Sequence, residues 1–352
     1  MNSQEAANMT SGIKVVALGG GTGLANLLYG LKQYVCRPSA CVHAAYVESL
    51  TAIVAVTDDG GSSGRLRADF NVLAPGDIRN CIVSLSENEG LLSRLFQHRF
   101  KSDGKLNGHS FGNLFITALT AVTGDFGEAV KECSRILSTC GQIYPVTCSY
   151  VELEALMADG SRVRGESKIT SSNGSITEIK LVPPNPKPLP QALEAIAQAD
   201  VITIGPGSLF TSLVPTLIVP RMSEALAASS AMKVLVCNLM TEPNESLGLS
   251  AADHIRVLRA HGHSKIIDYI MLNQVPASRE VSMRYLREGA TEVEKDIEEI
   301  EALGVKIILG NYLEEEEGVV RHDPHQVAAD LVQLRFSRAF TDIRPIYTGA
   351  CA

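Results

Sequence analysis

Residues 14–23 read KVVALGGGTG, and this stretch is the clearest indication of the fold class. Val15–Leu18 is an apolar, β-branched run, and the apolar residues of Leu24–Tyr34 recur at helical spacing, so a strand leads into a helix. Glycines let backbone amides approach a phosphate, and a helix N-terminus adds unpaired donors. We therefore predict a phosphate-binding loop made by Gly19, Gly20, Gly21, Thr22 and Gly23. The alternative is a tight turn without a ligand, because the loop matches neither the GxGxxG nor the Walker pattern.

The chain continues with further apolar strands separated by helical stretches. Strands are expected at residues 51–56, 200–204, 233–238, 266–272 and 306–308. Strands that are apolar on both faces are typical of a parallel sheet covered by helices on both sides. The sequence therefore predicts an α/β fold with a Rossmann-like, doubly wound, mainly parallel sheet. One long helix is expected at Val281–Leu303 and a closing helix at 326–334.

Two segments interrupt this alternation. Residues 77–141 have helical spacing throughout. This predicts a series of helices inserted between two strands, which we call the helical excursion. Residues 144–182 alternate as short strands, with hairpin signals at Asp159-Gly160 and Asn173-Gly174, and predict a small antiparallel β insertion. We expect five parts in order: a flexible tail at 1–12, the first part of the Rossmann-like domain with the helical excursion at 13–142, a β-hairpin insertion at 143–190, the second part of that domain at 191–335, and a C-terminal tail at 336–352.

Composition limits the classes of function. Of 352 residues, 45% are hydrophobic, and the formal net charge is −8, which disfavours nucleic acid as a partner. The 8 cysteines form no CxxC pair and no zinc-type spacing with histidine, which suits a reducing compartment. The most apolar stretch, 201–219, contains Gly205, Pro206 and Pro215, which argues against a membrane-spanning helix. No signal peptide is recognisable, so we expect a cytoplasmic protein without membrane insertion.

A second candidate site follows the strand at 51–56, where open α/β sheets place their ligands. It contains the following candidate ligand-binding residues: Asp58, Asp59, Gly61, Ser62, Ser63 and Arg65. The two carboxylates could bind a divalent cation such as Mg²⁺, accept hydrogen bonds from a ribose or base, or cap the next helix. We favour ligand contact over capping, and keep metal binding by Asp58 and Asp59 as a weaker hypothesis.

Further candidates lie at the beginnings of predicted helices and at the ends of later strands. Arg79 occupies a first helical turn, where the helix dipole disfavours a cation, which indicates an anion nearby; the alternative is a surface pair with Asp77. The other candidates are Asp77, Asn80, Ser110, Asn113, Gly205, Gly207, Ser208, Asn238 and Arg321. Gly205 to Ser208 form a second strand-to-glycine junction, and two such junctions on one sheet can hold two ends of one ligand.

Four motifs together resemble the gluconeogenesis factor (YvcK-like) family. They are GGGTGL at 19–24, DDGGSSGRLR at 58–67, PGDIRN at 75–80 and GPGSL at 205–209. That family is similar to the CofD-like 2-phospho-L-lactate transferases, which move a phosphate-bearing group. The resemblance implies a Rossmann-like fold, a UDP-sugar ligand and a role in cell shape and wall synthesis during growth on gluconeogenic carbon sources. It also matches Arg321, His322 and Asp323, and so indicates that Arg321 contacts a nucleotide sugar.

Two functional hypotheses follow. The first is a non-catalytic factor that binds a UDP-sugar, with UDP-N-acetylglucosamine expected, and passes this signal to proteins of cell-wall metabolism. The second is a Mg²⁺-dependent transferase acting on a nucleotide diphosphate substrate, without catalytic residues that the sequence identifies. A dinucleotide-binding oxidoreductase is disfavoured by the glycine spacing. Whether the chain forms a homo-oligomer stays open.

Overall fold

The computed structural model describes residues 12–35, 45–87 and 90–336. The tails expected before residue 12 and after residue 336 lie outside these ranges. The central layer of the protein is a 7-stranded sheet in the order β10-β9-β8-β7-β1-β2-β3, and all neighbouring strands in it are parallel. The strands are β1 Ile13–Gly19, β2 Val47–Val54, β3 Gln142–Pro145, β7 Val201–Ile204, β8 Met232–Val236, β9 Tyr269–Asn273 and β10 Lys306–Gly310. This confirms the predicted fold class.

The order in which the chain adds strands to the sheet reverses between β1 and β7. From β1 the chain builds outward through β2 and β3, and it then returns to place β7 on the other side of β1. Ala17 in β1 pairs with Ala52 in β2 and with Thr203 in β7, and all three residues are buried. Ligands of open α/β sheets bind where the strand order reverses, so the glycine junctions after β1 and β7 lie at the expected place.

The helices cover the sheet and form the predicted excursion between β2 and β3. The excursion consists of α2 Gly61–Phe70, α3 Gly76–Leu85, α4 Leu91–Gln97, α5 Phe111–Thr123 and α6 Phe126–Ile136. The other helices are α1 Gly21–Lys32, α7 Glu166–Ser171, α8 Pro190–Gln198, α9 Val214–Leu217, α10 Met222–Ala228, α11 Ala251–His261, α12 Arg279–Arg287, α13 Ile297–Ala302 and α14 Pro324–Phe336, with a π-helical turn at Leu209–Leu213. Helix α14 packs on α1 closely: a β-carbon on Gly30 would lie 1.9 Å from the Pro324 carbonyl oxygen.

A small antiparallel sheet forms the predicted insertion, but it begins later than expected: residues 143–145 belong to β3, the parallel edge strand of the central sheet. The small sheet contains β4 Glu152–Met157, β5 Arg162–Arg164 and β6 Ile176–Val182, in the order β5-β4-β6. Asp159-Gly160 turns β4 into β5 as expected, but Asn173-Gly174 joins α7 to β6 and is not a hairpin turn. A separate hairpin, β11 Leu313–Glu316 and β12 Val319–His322, precedes α14.

The prediction of a single helix at Val281–Leu303 is wrong. Two short helices, α12 and α13, take its place, and between them Gly289 adopts a left-handed conformation with a φ of 79°. Thr291 then donates its backbone amide to the Thr241 hydroxyl at 2.9 Å, which ties this segment to the loop after β8. The helical spacing of charged residues continues through the segment between α12 and α13. For this reason, periodicity alone did not indicate that the helix ends there.

Within the described residues, we find no helix that combines the length and the apolar character needed to cross a membrane.

Candidate functional site

A cavity of about 510 Å³ opens at the point where the strand order reverses. Gly20 to Gly23, after β1, and Pro206 to Ser208, after β7, line the same cavity. The two junctions touch: a β-carbon on Gly23 would lie 2.7 Å from the Pro206 carbonyl oxygen. The predicted glycine junctions therefore lie side by side and face one space.

Helix α1 presents its N-terminus to this cavity. Its N-cap residue, Gly20, makes no side-chain cap, and no acidic residue belongs to its first turn. The first amides of a helix have no partner within the helix, so Thr22 and Gly23 can donate to a ligand oxygen. A carboxyl group already faces the beginning of this helix, because a β-carbon on Gly20 would lie 2.8 Å from Asp77 Oδ2.

Carboxyl groups dominate the wall of the cavity. The acidic residues that line it are Asp58, Asp77, Glu166, Glu242 and Glu288. Burial and the neighbouring Asp58 raise the pKa of Asp77 to about 6, an increase that the facing Gly21 amide partly offsets. Burial, again with Asp58 nearby, raises the pKa of Glu166 well above its usual value. The pKa values of these two carboxyl groups are therefore both raised, and a bound cation would lower them again.

The small antiparallel sheet contributes to this wall through α7. Glu166 lies at the beginning of α7, and its Oε2 accepts a hydrogen bond from the Thr57 hydroxyl at 3.3 Å. Asp59 does not share the position of Asp58: its Oδ1 accepts the Ser167 backbone amide at 2.7 Å, whereas Asp58 Oδ1 accepts the Gly60 amide at 2.8 Å. The two adjacent aspartates thus have different partners, and only Asp58 lines the cavity. Across the described ranges, no group of three or more His, Cys, Asp or Glu side chains is arranged to hold a metal ion.

The β11–β12 hairpin contributes another part of the cavity lining. Arg321 and His322, from β12, line the cavity, and Asn26 of α1 donates to the His322 carbonyl oxygen at 2.5 Å. Burial lowers the pKa of His322 to about 4, so this imidazole is neutral at physiological pH, with Nε2 3.0 Å from the Cys237 carbonyl oxygen. Arg321 is therefore the cationic side chain among the residues that line the cavity.

The predicted residues divide into two groups. Those lining the cavity are Gly20, Gly21, Thr22, Gly23, Asp58, Asp77, Gly207, Ser208, Asn238 and Arg321. Those outside its lining are Gly19, Asp59, Gly61, Ser62, Ser63, Arg65, Arg79, Asn80, Ser110, Asn113 and Gly205. Ligand contact by either group stays a prediction.

Several residues of the second group make internal contacts behind the cavity wall. Ser62 Oγ lies 3.0 Å from His109 Nδ1, and Arg65 donates to the Asn107 carbonyl oxygen at 2.7 Å. Arg79 is buried and donates to Asn80 Oδ1 at 2.6 Å. The Ser110 side chain caps α5 by accepting the Asn113 amide. These contacts join α2 to the segment that leads into α5.

Sequence reasoning missed several residues that line the cavity. Glu166, Glu242 and Tyr285 come from the insertion, from the loop after β8 and from α12. None belongs to a glycine motif or follows a strand directly, so the sequence carried no signal for them. Tyr285 accepts the Val320 backbone amide at 3.0 Å and so links α12 to the β12 edge of the cavity.

Comparison with known proteins agrees with this architecture. Residues 15–313 match the family model described as 2-phospho-L-lactate transferase CofD. A crystal structure of a Bacillus halodurans protein superposes with a TM-score of 0.86 at 42% identity, and covers 93% of this chain and 100% of that one. These matches define the class as a CofD-type α/β protein.

Curated relatives narrow the class. The chain is 44% identical over 321 residues to the gluconeogenesis factor of Bacillus subtilis, covering 91% of this chain and 98% of the relative. It is 46% identical over 324 residues to a putative gluconeogenesis factor of Nostoc sp., covering 92% of this chain and 68% of the relative. The chain belongs to the CofD family, in its group of gluconeogenesis factors.

Proposed function

We propose that this chain is a gluconeogenesis factor that binds a nucleotide sugar, UDP-N-acetylglucosamine in the first instance, without consuming it. One observation carries the proposal: the uncapped N-terminus of α1 and the Pro206–Ser208 turn line one cavity of about 510 Å³. This volume is in the usual range for sites that bury a small ligand. The diphosphate would lie at the amides of Thr22 and Gly23, and Arg321 would pair with it.

The acidic wall imposes a condition on this binding. A diphosphate placed near Asp58 and Asp77 meets negative charge, which protons or a cation must compensate. Mg²⁺ usually binds through one or two carboxylates together with ligand phosphates, so these two side chains would hold it only once the nucleotide is present. We therefore expect nucleotide-sugar affinity to increase when Mg²⁺ is added.

In the cell, we propose that the liganded protein acts on proteins of cell-wall metabolism in the cytoplasm and so supports cell shape and wall synthesis on gluconeogenic carbon sources. This step rests on the family of the chain. It predicts that a variant unable to bind the nucleotide sugar loses the growth function while it stays folded.

The second candidate is a Mg²⁺-dependent transferase acting on a nucleotide diphosphate. Its support is the family model, whose name is that of a transferase, together with the two carboxylates Asp58 and Asp77 beside the α1 amides. A metal ion at that place would stabilise the charge of a leaving diphosphate.

Calorimetric titration with UDP-N-acetylglucosamine, UDP-glucose, GDP and NAD, with and without Mg²⁺, tests the first candidate. Phosphorus NMR of the same mixtures then shows whether a bound nucleotide is consumed. Binding without turnover supports the factor, and turnover supports the transferase. Binding of NAD without any UDP-sugar would contradict both.

Arg321→Ala provides a sharper test of the site. Loss of a charged hydrogen bond should weaken UDP-sugar binding by about 1.5 to 3 kcal/mol. Arg135→Ala is a suitable control, since Arg135 is 75% exposed on α6 and pairs with Glu132 away from the cavity. Equal affinities of both variants and the unmodified protein would remove Arg321 from the site.

A further inference from the structure

The π-helical turn after the second glycine junction differs from the N-terminus of α1, because a side chain of the protein already occupies its first amides. Glu245 Oε1 accepts the backbone amides of Phe210 at 2.7 Å and of Thr211 at 2.8 Å. The Thr211 hydroxyl also donates to this carboxyl group, at 3.2 Å. These amides belong to the beginning of the π-helical turn, and Phe210 and Thr211 are buried outside the cavity lining. The turn after β7 therefore holds an internal anion, whereas Gly207 and Ser208 line the cavity.

Glu242 extends this negative charge into the cavity. It lines the cavity together with Ser208, Asn238 and Thr241, while Glu245 lies buried behind it. The Glu242 backbone amide donates to the Ser246 hydroxyl at 2.9 Å, which fixes the loop that carries it. Burial and the neighbouring Glu242 raise the pKa of Glu245 to about 8, and burial also raises the pKa of Glu242. The pair thus shares a proton near neutral pH, and still repels a phosphate dianion.

The α1 amides and the Glu242 loop, which both line the cavity, suit different chemical groups. The N-terminus of α1 offers the amides of Thr22 and Gly23 and suits a phosphate once a cation compensates the charge of Asp58 and Asp77. The surroundings of Glu242 offer a carboxyl group, the Ser208 hydroxyl and the Asn238 amide. A carboxylate has two acceptor oxygens and no donor, so it pairs well with neighbouring hydroxyl groups of a sugar ring.

We propose that Glu242 determines ligand specificity by accepting hydrogen bonds from vicinal hydroxyl groups of the ligand, while the diphosphate lies at the N-terminus of α1. The inference rests on the proposed nucleotide-sugar binding and adds the orientation of the ligand to it. The hydroxyl groups belong either to the ribose or to the hexose of the nucleotide sugar, and the choice of ligands in the test separates the two.

The test compares Glu242→Gln with the unmodified protein by calorimetry in Mg²⁺, using UDP-N-acetylglucosamine, UDP and inorganic diphosphate. Glutamine keeps the shape of the side chain, but replaces one acceptor oxygen with a donor. We expect affinity for UDP-N-acetylglucosamine to fall about tenfold or more, as for a lost hydrogen bond to a charged group, while affinity for diphosphate is retained or increases. A parallel loss for UDP assigns the ribose, and an unchanged affinity for UDP assigns the hexose.

The variant Glu288→Gln shows whether the loss of a negative charge alone explains the affinity change caused by Glu242→Gln. Glu288 also lines the cavity, but its carboxyl group pairs with Arg284 at 3.3 Å. Removing its charge should change the affinities for all three ligands in the same direction. Glu242→Asp, which retains the charge and shortens the side chain, should lose UDP-N-acetylglucosamine affinity without loss of thermal stability, and it replaces Glu242→Gln if that variant fails to fold.

Two results overturn the inference alone: an unchanged affinity of a folded Glu242 variant for UDP-N-acetylglucosamine, or an equal loss for this ligand and for diphosphate. A different result overturns the proposed function as well, namely that the unmodified protein binds diphosphate but no UDP-sugar. The two failures are therefore distinguishable within one set of titrations.

Discussion

Replacing Gly23 with alanine tests whether the contact between the two glycine junctions forms the site. The added β-carbon would lie 2.7 Å from the Pro206 carbonyl oxygen, 2.9 Å from the Pro206 carbonyl carbon and 3.2 Å from the Gly207 amide nitrogen. All three atoms are backbone, so no side-chain rotation relieves the overlap. The junctions must separate by several tenths of an ångström, because ordinary contacts of a β-carbon begin at 3.4 Å.

The expected cost has two parts. Overpacking in a well-packed region typically destabilises a protein by about 1–3 kcal/mol, and we expect the free energy of unfolding to fall by this amount. The same displacement moves the Thr22 and Gly23 amides relative to Arg321. Since small displacements at a site greatly weaken positioned contacts, we expect nucleotide-sugar affinity to fall at least tenfold.

Urea denaturation measures the change in the free energy of unfolding, and calorimetry measures the change in nucleotide-sugar affinity. Gly104→Ala is the matched control, because a β-carbon there would meet only the Ser102 hydroxyl oxygen, at 3.9 Å. If Gly23→Ala keeps the stability and affinity of the Gly104→Ala control, the junctions are not in the close contact described, and the argument for a shared cavity fails.

The remaining predictions concern stability. The pKa of Asp77 is raised from 3.8 to about 6, so the folded state binds more protons than the unfolded state in this window, and stability falls as the pH rises through it. Asp77→Asn should therefore stabilise the protein at pH 7 by at most about 3 kcal/mol, with the gain disappearing below about pH 4; denaturation at several pH values checks this. Arg67 is buried and donates to the carbonyl oxygens of Val56 at 3.2 Å and Val151 at 2.6 Å, so Arg67→Ala should cost about 3 kcal/mol or more in thermal denaturation, and an unchanged midpoint would contradict this role. Tyr312→Phe removes a 2.7 Å hydrogen bond to Asp330 and should cost about 1.5 to 3 kcal/mol in the same assay, whereas no loss would show that the pair is not formed.

The sequence predicted the sheet well because its strands are short apolar runs that end at glycine or polar residues. The strand expected at 306–308 was found at Lys306–Gly310, and the one expected at 200–204 at Val201–Ile204. The boundaries shifted by a few residues, since hydrogen bonding with neighbouring strands extends or shortens a strand beyond its apolar core. The antiparallel insertion was also recognisable, because its strand β4 alternates buried and half-buried residues.

The candidate site was only partly predictable. Residues in glycine junctions and directly after strands were identifiable, because fold rules fix where those positions meet. Glu166 and Glu242 were not, since each reaches the cavity through tertiary packing that leaves no local pattern. The sequence also treated the two glycine junctions as equivalent, whereas Glu245 occupies the amides of Phe210 and Thr211, which directly follow the second junction.

The insertion adds a wall to the cavity, and the hydrogen bonding of the central sheet does not depend on this wall. Strand β2 pairs directly with β3, and β1 with β7, so changes of length within 151–182 leave these hydrogen bonds intact. Yet α7, anchored by Asp59, brings Glu166 to the cavity. Evolution can therefore vary what such a protein recognises by remodelling a peripheral module, while the scaffold that holds the phosphate loop is inherited unchanged.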